Sequence, residues 1–587
     1  MREVLGQDSA ALTAAKGENL GSEWPTVDTS ESAQPRTTIG VTSAEVDPPR
    51  RILSWRASRA GLVVALLFLA ASVVPAMLPR PWQVQGVVSG LAIALGYGVG
   101  SAGAGLWHRF RDWPRVSWWM TLALFGAPSV VVGWAFVAHA VWRVDIAVLM
   151  DTSLALFPYL ALVVGTALGV GFLLIQLSRG FRAVFGSYSR LLARNAPGWV
   201  AVSLTTVTAL VAVILFFDLV VAGQLVPALE EAHRTSDRRF EPGVSPPVSS
   251  FLAGGPDSMI DWETMGSQGR AFVAQTPTPA ELEAFSGAPS SEPIRVYVGL
   301  ETAPNAESRA ALAVEEMERV GAFDREVIVL IVPTGSGWID PYAIDGIEYM
   351  YSGDTAAVAV QYSYLASWMV MIGNQDRAVE SARSLLVEVT ERIQQEPEDN
   401  RPGLLLYGES LGAFGWERLF VDLEDITAAV DGALWVGPPR SGPLWQRLVA
   451  DRDAGSPVWR PVYRSGEAVR FGADGDALAA QGGQWDPPRL AYLQHASDPI
   501  TWWTPELIFD RPDWLDSPRG PDVSEHMPYL PLVTFWQMAV DLAVGTSAPV
   551  GHGHKFGPAQ AEAWTLIVPP PGWSSAETER LLAIFDN

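Results

Sequence analysis

From residue 60 to about 223 the chain consists of long apolar runs separated by short polar segments; from 294 onward short apolar runs alternate with stretches of helical periodicity. Five long runs can be read: Ala60 to Leu78, Val84 to Ala104, Trp118 to Val141, Ser153 to Leu177 and Val200 to Val221. Each is long enough for a hydrocarbon core of ~30 Å. Five such runs in succession predict an all-α transmembrane bundle over 50–225 rather than a helical bundle in water. Trp82, Trp113, Trp118, Trp119, Trp142 and Trp199 lie near the proposed ends, where interfacial indoles belong.

The flanking segments read differently. Residues 1–49 are rich in Ser, Thr, Glu, Pro and Gly without apolar periodicity, and are expected as a disordered tail; a cleavable signal peptide is disfavoured, because a long polar stretch precedes the first apolar run. Residues 226–293 read as a Pro-, Gly- and Ser-rich juxtamembrane connector with one helix at Pro279 to Phe285, on which Trp262, Met265 and Phe272 are placed to dock against the next domain. Over 294–587, strands at Ile294 to Leu300, Glu326 to Val332, Ala356 to Tyr362, Ala433 to Val436 and Leu490 to Gln494 alternate with helices at Ala306 to Val320 and Asn374 to Gln394. That alternation predicts a mostly parallel, doubly wound sheet with helices on both faces. The Pro- and Trp-rich interval 437–489 reads as an insertion or lid.

Charge adds orientation. Arg50, Arg51, Arg56 and Arg59 precede the first run; Arg109, Arg111 and Arg115 follow the second; Arg179, Arg182, Arg190 and Arg194 follow the fourth; the other two connections hold only Arg80 and Arg143. By the positive-inside rule the amino terminus is cytoplasmic, and an odd number of spans puts the remainder on the outer face of the plasma membrane. The net charge of −24 disfavours a nucleic-acid partner, and with no cysteine, disulfides and thiolate metal sites are excluded. The two lysines, Lys16 and Lys555, among forty basic residues reflect coding bias rather than mechanism. No cofactor is expected, and the oligomeric state is not read from the sequence.

The chemistry gathers at Leu404-Leu405-Leu406-Tyr407-Gly408-Glu409-Ser410-Leu411-Gly412, an apolar run ending in G-x-S-x-G before a helix predicted from Ala413 to Phe420. This is a nucleophile elbow: a strained strand-to-helix turn that projects a serine above a sheet, as in α/β-hydrolases. Such a serine needs a histidine base and an orienting acid, which follow in the order acid, then histidine. Asp498, in the turn after Leu490 to Gln494, is the candidate acid, though an Asx cap would explain it too. Gly551-His552-Gly553-His554 supplies the base; His552, followed by glycine on a loop tip, is favoured, with His554 the alternative. A metal held by both imidazoles would lack a completing cluster, so no metal is expected. His495 is read as a core or lid contact. Candidate oxyanion donors are Leu411, after the nucleophile, and the loop Thr334, Gly335, Ser336 and Gly337, which lacks the Lys-Ser/Thr ending of a phosphate loop.

Taken together, Gly269-Arg270-Ala271-Phe272-Val273, Pro293-Ile294-Arg295-Val296-Tyr297-Val298-Gly299-Leu300, the elbow, Ser497-Asp498-Pro499 and Gly551-His552-Gly553-His554 resemble a group of bacterial membrane proteins with an amino-terminal multi-span region and a carboxy-terminal α/β-hydrolase domain. The resemblance covers Arg51 to Asn587 and implies a Ser-Asp-His triad outside the plasma membrane. It also implies a membrane lipid substrate, since similar proteins have been linked to lipid esters, including aminoacyl esters of phosphatidylglycerol. Glu409, beside the nucleophile, and Asp340, Asp345 and Asp354, shortly after the proposed oxyanion loop, would attract the ammonium of such an ester, or are equally read as solvated surface acids. Two other readings stand beside a serine esterase: acyl transfer to an envelope acceptor through the same triad, and a non-catalytic receptor or transport subunit with a hydrolase-like binding domain.

Overall fold

The computed structural model describes residues 58–110, 117–216, 218–219, 224, 226–516 and 518–585. The expected disordered tail, Arg50, Arg51, Arg56, Arg111, Arg115, Trp113 and the end of the fifth run lie outside the described residues.

Five helices open the described chain: α1 (Arg59–Ser72), α2 (Trp82–Phe110), α3 (Trp118–Leu149), α4 (Leu156–Leu192) and α5 (Gly198–Leu215). Four of them, α2 to α5, are long and apolar enough to cross a membrane; α1 is not. The expectation of five full spans is corrected at the first. Pro75 and Pro79 stop the helix at Ser72, so its 14 residues reach only about 21 Å at 1.5 Å per residue. The apolar residues counted into that run, Met77 and Leu78, are each 1% exposed because protein covers them.

Small residues set the helix packing. A Cβ at Gly96 would lie 2.7 Å from the Val64 carbonyl oxygen, and one at Gly86 2.6 Å from Thr166 Cβ, so α1, α2 and α4 meet nearly backbone to backbone. These contacts make α1 antiparallel to α2 and α2 parallel to α4. The carboxyl ends of α1 and α3 both meet the following domain: Ser524 bonds Asp145 of α3, and Trp142, Ile146 and Met150 share its core.

That domain holds seven parallel strands in the order β1-β3-β2-β4-β5-β7-β6, namely β1 (Ile294–Val298), β2 (Val327–Val332), β3 (Thr355–Val360), β4 (Gly403–Glu409), β5 (Gly432–Val436), β6 (Val469–Gly472) and β7 (Arg489–Leu493). Helices cover both faces, so β2, β5 and β3 after Thr355 are continuously apolar rather than alternating. On the helix Asp376–Ile393, Ala378, Ala382, Leu385 and Val389 recur at helical spacing and are all fully buried. Each such Leu or Val is worth about 1.5–3 kcal/mol of transfer free energy.

One expectation changes here. The interval 437–489, read as an insertion or lid, contributes β6 to the sheet edge. The strand is four residues long and carries Arg470, whose guanidinium is satisfied by the carbonyls of Gly466, Leu478 and Gly483, so no apolar run announces it. As expected, Trp262, Met265 and Phe272 of the segment 226–293 dock on the domain, where they are buried, and the helix Gly266–Ala274 packs on β1.

Candidate active site

β4 lies in the middle of the sheet and delivers Ser410 at its carboxyl edge. The turn there is tight: Ser410 has φ of +58°, and a Cβ at Gly412 would sit 2.0 Å from the Val332 carbonyl oxygen. Glycine at that position is what lets the helix Leu411–Glu417 start against the end of β2. Ser410 N–H donates to Val436 O at 2.8 Å, tying the elbow to the end of β5. Its Oγ is buried and has no hydrogen-bond partner among the described residues.

β7 delivers the acid. Asp498 caps the short helix Pro499–Trp502, its Oδ1 accepting from Ile500 N–H at 2.9 Å; Oδ2 accepts from Thr501 Oγ1 at 3.3 Å and meets His554 Nδ1 at 2.7 Å. The Asx cap and the contact to histidine are thus both real, one on each oxygen. With Nδ1 bound to the carboxylate, the other ring nitrogen, Nε2, is buried and has no partner among the described residues. Gly437 makes room for this pair: a Cβ there would lie 2.5 Å from His554 Cε1 and 3.0 Å from Asp498 Oδ2. Its role was not read from the sequence, although a glycine ending the β5 run marks the turn.

Of the two histidines, the structure brings His554, not His552, to Asp498. His552 Nδ1 is 3.7 Å from Asp522 Oδ2, and it does not reach Asp498. Asp522 instead holds Ser497 Oγ, which accepts from Gly553 N–H at 2.8 Å, while His495 Nδ1 meets Gly553 O at 2.9 Å. His495, stacked on Phe556 at 4.2 Å, together with Ser497 and Asp522 clamps the loop that carries His554. Asp522 had no signal in the sequence; only folding brings it under residue 497.

Leu411 N–H, first in its helix, has no acceptor among the described residues. In the loop after β2, Thr334 N–H donates to Trp338 O, Gly335 N–H to Ser367 Oγ and Gly337 N–H to Thr334 O. Of the four loop candidates, only Ser336 N–H is left without an acceptor among the described residues. A cavity of about 400 Å³ opens over these groups, lined by Thr334, Ser336, Trp338, Asp340, Trp368, Glu409, Leu542 and His554 among others.

Four acids were singled out as possible partners of a cation. Asp345 is taken by Arg295 at 2.6 Å and Asp354 lies 3.7 Å from Arg325, which leaves Asp340 and Glu409 on the cavity. A buried chain links these two: Tyr407 Oη lies 3.3 Å from Glu409 Oε2 and 2.6 Å from Gln560 Oε1, and Gln560 Nε2 donates to Asp340 Oδ2 at 2.6 Å. Burial, with the charge of Asp498 beside it, pushes Glu409 up to about 7 against the pull of His554 and Tyr407. Burial and then Glu409 raise Asp340 as well.

Burial pulls His554 down, but Asp498 and then Glu409 more than offset it and hold the imidazole above its ordinary 6.5. A base must be neutral to accept a proton, so the acid limb of kcat/KM should lie above pH 6.5. Glu409→Gln removes a negative neighbour; His554 then protonates at lower pH, and the limb should move down. A pH–rate profile in which the limb of the variant stays in place or moves up would remove Glu409 from this role.

A buried elbow serine, and an imidazole that lines the cavity and is held by a carboxylate, are the groups that acyl transfer through a covalent serine ester uses. Residues 294–581 match the family model described as Alpha/beta-hydrolase family, and residues 73–277 match the one described as Alpha/beta-hydrolase family N-terminus. No curated protein and no solved structure matches the chain.

Proposed function

The chain belongs to the alpha/beta-hydrolase family, and we propose that within it this protein is a membrane-anchored serine esterase acting on an ester of a membrane lipid. The observation that carries this reading is the 2.7 Å contact of His554 Nδ1 with Asp498, beside two buried atoms with unused hydrogen-bonding capacity, Ser410 Oγ and His554 Nε2. Ser410 Oγ attacks the ester carbonyl while His554 takes its proton, and Asp498 fixes the tautomer and stabilises the imidazolium. The tetrahedral oxyanion is met by Leu411 N–H and a donor of the Thr334 to Gly337 loop, for which Ser336 N–H is the one available. His554 protonates the leaving alcohol; water then repeats the sequence on the acyl-serine and restores the enzyme. A fluorophosphonate probe should label the wild type and fail to label Ser410→Ala; equal labelling of both removes the serine-hydrolase reading.

Helices of spanning length in the same chain favour a substrate resident in the membrane, whose effective concentration a tether raises. Asp340 and Glu409, with Trp338 and Trp368, line the cavity as groups suited to the ammonium of an aminoacyl ester, including one of phosphatidylglycerol. An ammonium bound there would draw both acids toward their ionised forms. Alanyl and acetyl esters of one lipid alcohol compared by kcat/KM test this; equal values leave a general lipid esterase.

The proposed side of the membrane rests on which connections meet the catalytic domain. The turn after α1 and the end of α3 lie against it, whereas the carboxyl end of α2 and the segment holding Arg179, Arg182, Arg190 and Arg194 lie at the other end of the bundle. With arginine-rich connections cytoplasmic, the catalytic domain is extracytoplasmic at the plasma membrane. A reporter that is active only in the cytoplasm, fused after Asn587, should be silent. Activity there would reverse the orientation.

A further inference from the structure

The helix Val533–Leu542 is amphipathic the wrong way round for a helix on a water-soluble surface. Its polar residues point inward: Thr534, Gln537 and Asp541 are 3%, 4% and 0% exposed. Its outer stripe is apolar, with Leu532 at 52% and Trp536 at 65% exposed. Leu532 is held at φ of +65°, a backbone conformation that disfavours a side chain, and still presents a leucine outward. Leu530 and Phe509, 40% and 74% exposed, belong to the approach to the helix, where Leu532 N–H bonds Ile508 O. From Leu530 to Val540 no residue is charged.

Water does not reward this arrangement, since exposed aromatic and aliphatic groups gain nothing there, but an interfacial helix requires it. Position identifies the occupant. Gln537 Nε2 donates to the carbonyls of Ala71 and Ser72, both at 3.0 Å, so the helix is bonded to the last turn of α1, whose own Leu62, Leu67 and Phe68 are exposed on the apolar bundle. The stripe therefore lies on an element bonded directly to the apolar bundle. The far end of the same helix, Leu542, lines the same cavity as Glu409 and His554.

We infer that the helix Val533–Leu542 and its approach at Phe509, Leu530 and Leu532 form a monotopic membrane contact, seated at the boundary of headgroups and acyl chains, which places the cavity mouth at the lipid surface. A lipid ester could then enter from the bilayer without crossing water. The use of the cavity rests on the esterase reading; the seating does not, and its test needs no turnover.

Because the chain contains no cysteine, single nitroxide labels can be placed without a background. Phe509→Cys, Leu532→Cys and Trp536→Cys, in the full chain reconstituted into phosphatidylcholine–phosphatidylglycerol vesicles, would be compared with Val421→Cys. Val421 is 67% exposed and follows the end of the helix Leu411–Glu417 farthest from Ser410. Collision with dissolved oxygen should exceed collision with a water-soluble nickel chelate at the three positions, and the order should reverse at 421. Nickel contact at 509, 532 and 536 matching that at 421 overturns the inference, as does protection from both reagents, which would mean that protein covers the stripe.

Discussion

Replacing Ser410 by alanine should lower ester turnover by roughly 10³-fold or more and leave the thermal midpoint within about a degree of wild type. The serine hydroxyl has no partner among the described residues, so its removal breaks no hydrogen bond. The positive φ at 410 is as unfavourable for alanine as for serine, so backbone strain does not change either. His554→Ala and Asp498→Asn should fall in the same range, and Ser410→Ala combined with His554→Ala should be no worse than either alone, because the residues act as one unit. His552→Ala, which loses only a 3.7 Å approach to Asp522, should stay within about tenfold of wild type. If His552→Ala were as damaging as Ser410→Ala while His554→Ala retained activity, the assignment of the base would be wrong.

Arg80→Leu should destabilise the protein by roughly 3–5 kcal/mol, a large fraction of any domain's stability. Arg80 and Asp541 are 2% and 0% exposed and meet at 2.7 Å; the guanidinium also bonds Gln85 and Gln537. Without Arg80, the Asp541 carboxylate keeps only neutral donors, the N–H groups of Met77 and Leu78 at 3.1 and 3.4 Å. Burial already pushes Asp541 above its ordinary value, and losing Arg80 pushes it further. A raised carboxylate is best tolerated while protonated, so the deficit of the variant should be smallest at acid pH and grow as pH rises. Thermal unfolding in detergent measures both effects. Arg80→Leu with Asp541→Leu should recover much of the loss; an Arg80→Leu protein as stable as wild type at pH 8 would show that the pair contributes nothing.

Much of the fold was legible because it is local. The elbow at 408–412, the continuous apolar strands and the helix over Ala306–Val320 each carry their signal within one segment. What escaped depends on residues far apart in the chain. Met77 and Leu78 are apolar because the catalytic domain covers them, and hydropathy cannot distinguish that cover from lipid. β6 is short and holds an arginine whose partners are backbone carbonyls. His552 and His554 differ by two positions, yet only the folded loop decides which meets Asp498. Gln537 and Asp541 look like the wet face of a helix until Arg80 is placed against them.

The bond between Arg80 and Asp541 joins positions 461 residues apart, one beside a span and the other next to the cavity wall. A lineage that alters either residue first must pass through an ancestor with an unpaired buried charge. The two codons are thereby bound in inheritance, and a bundle and a catalytic domain exchanged between distant relatives would arrive with mismatched halves of one ion pair.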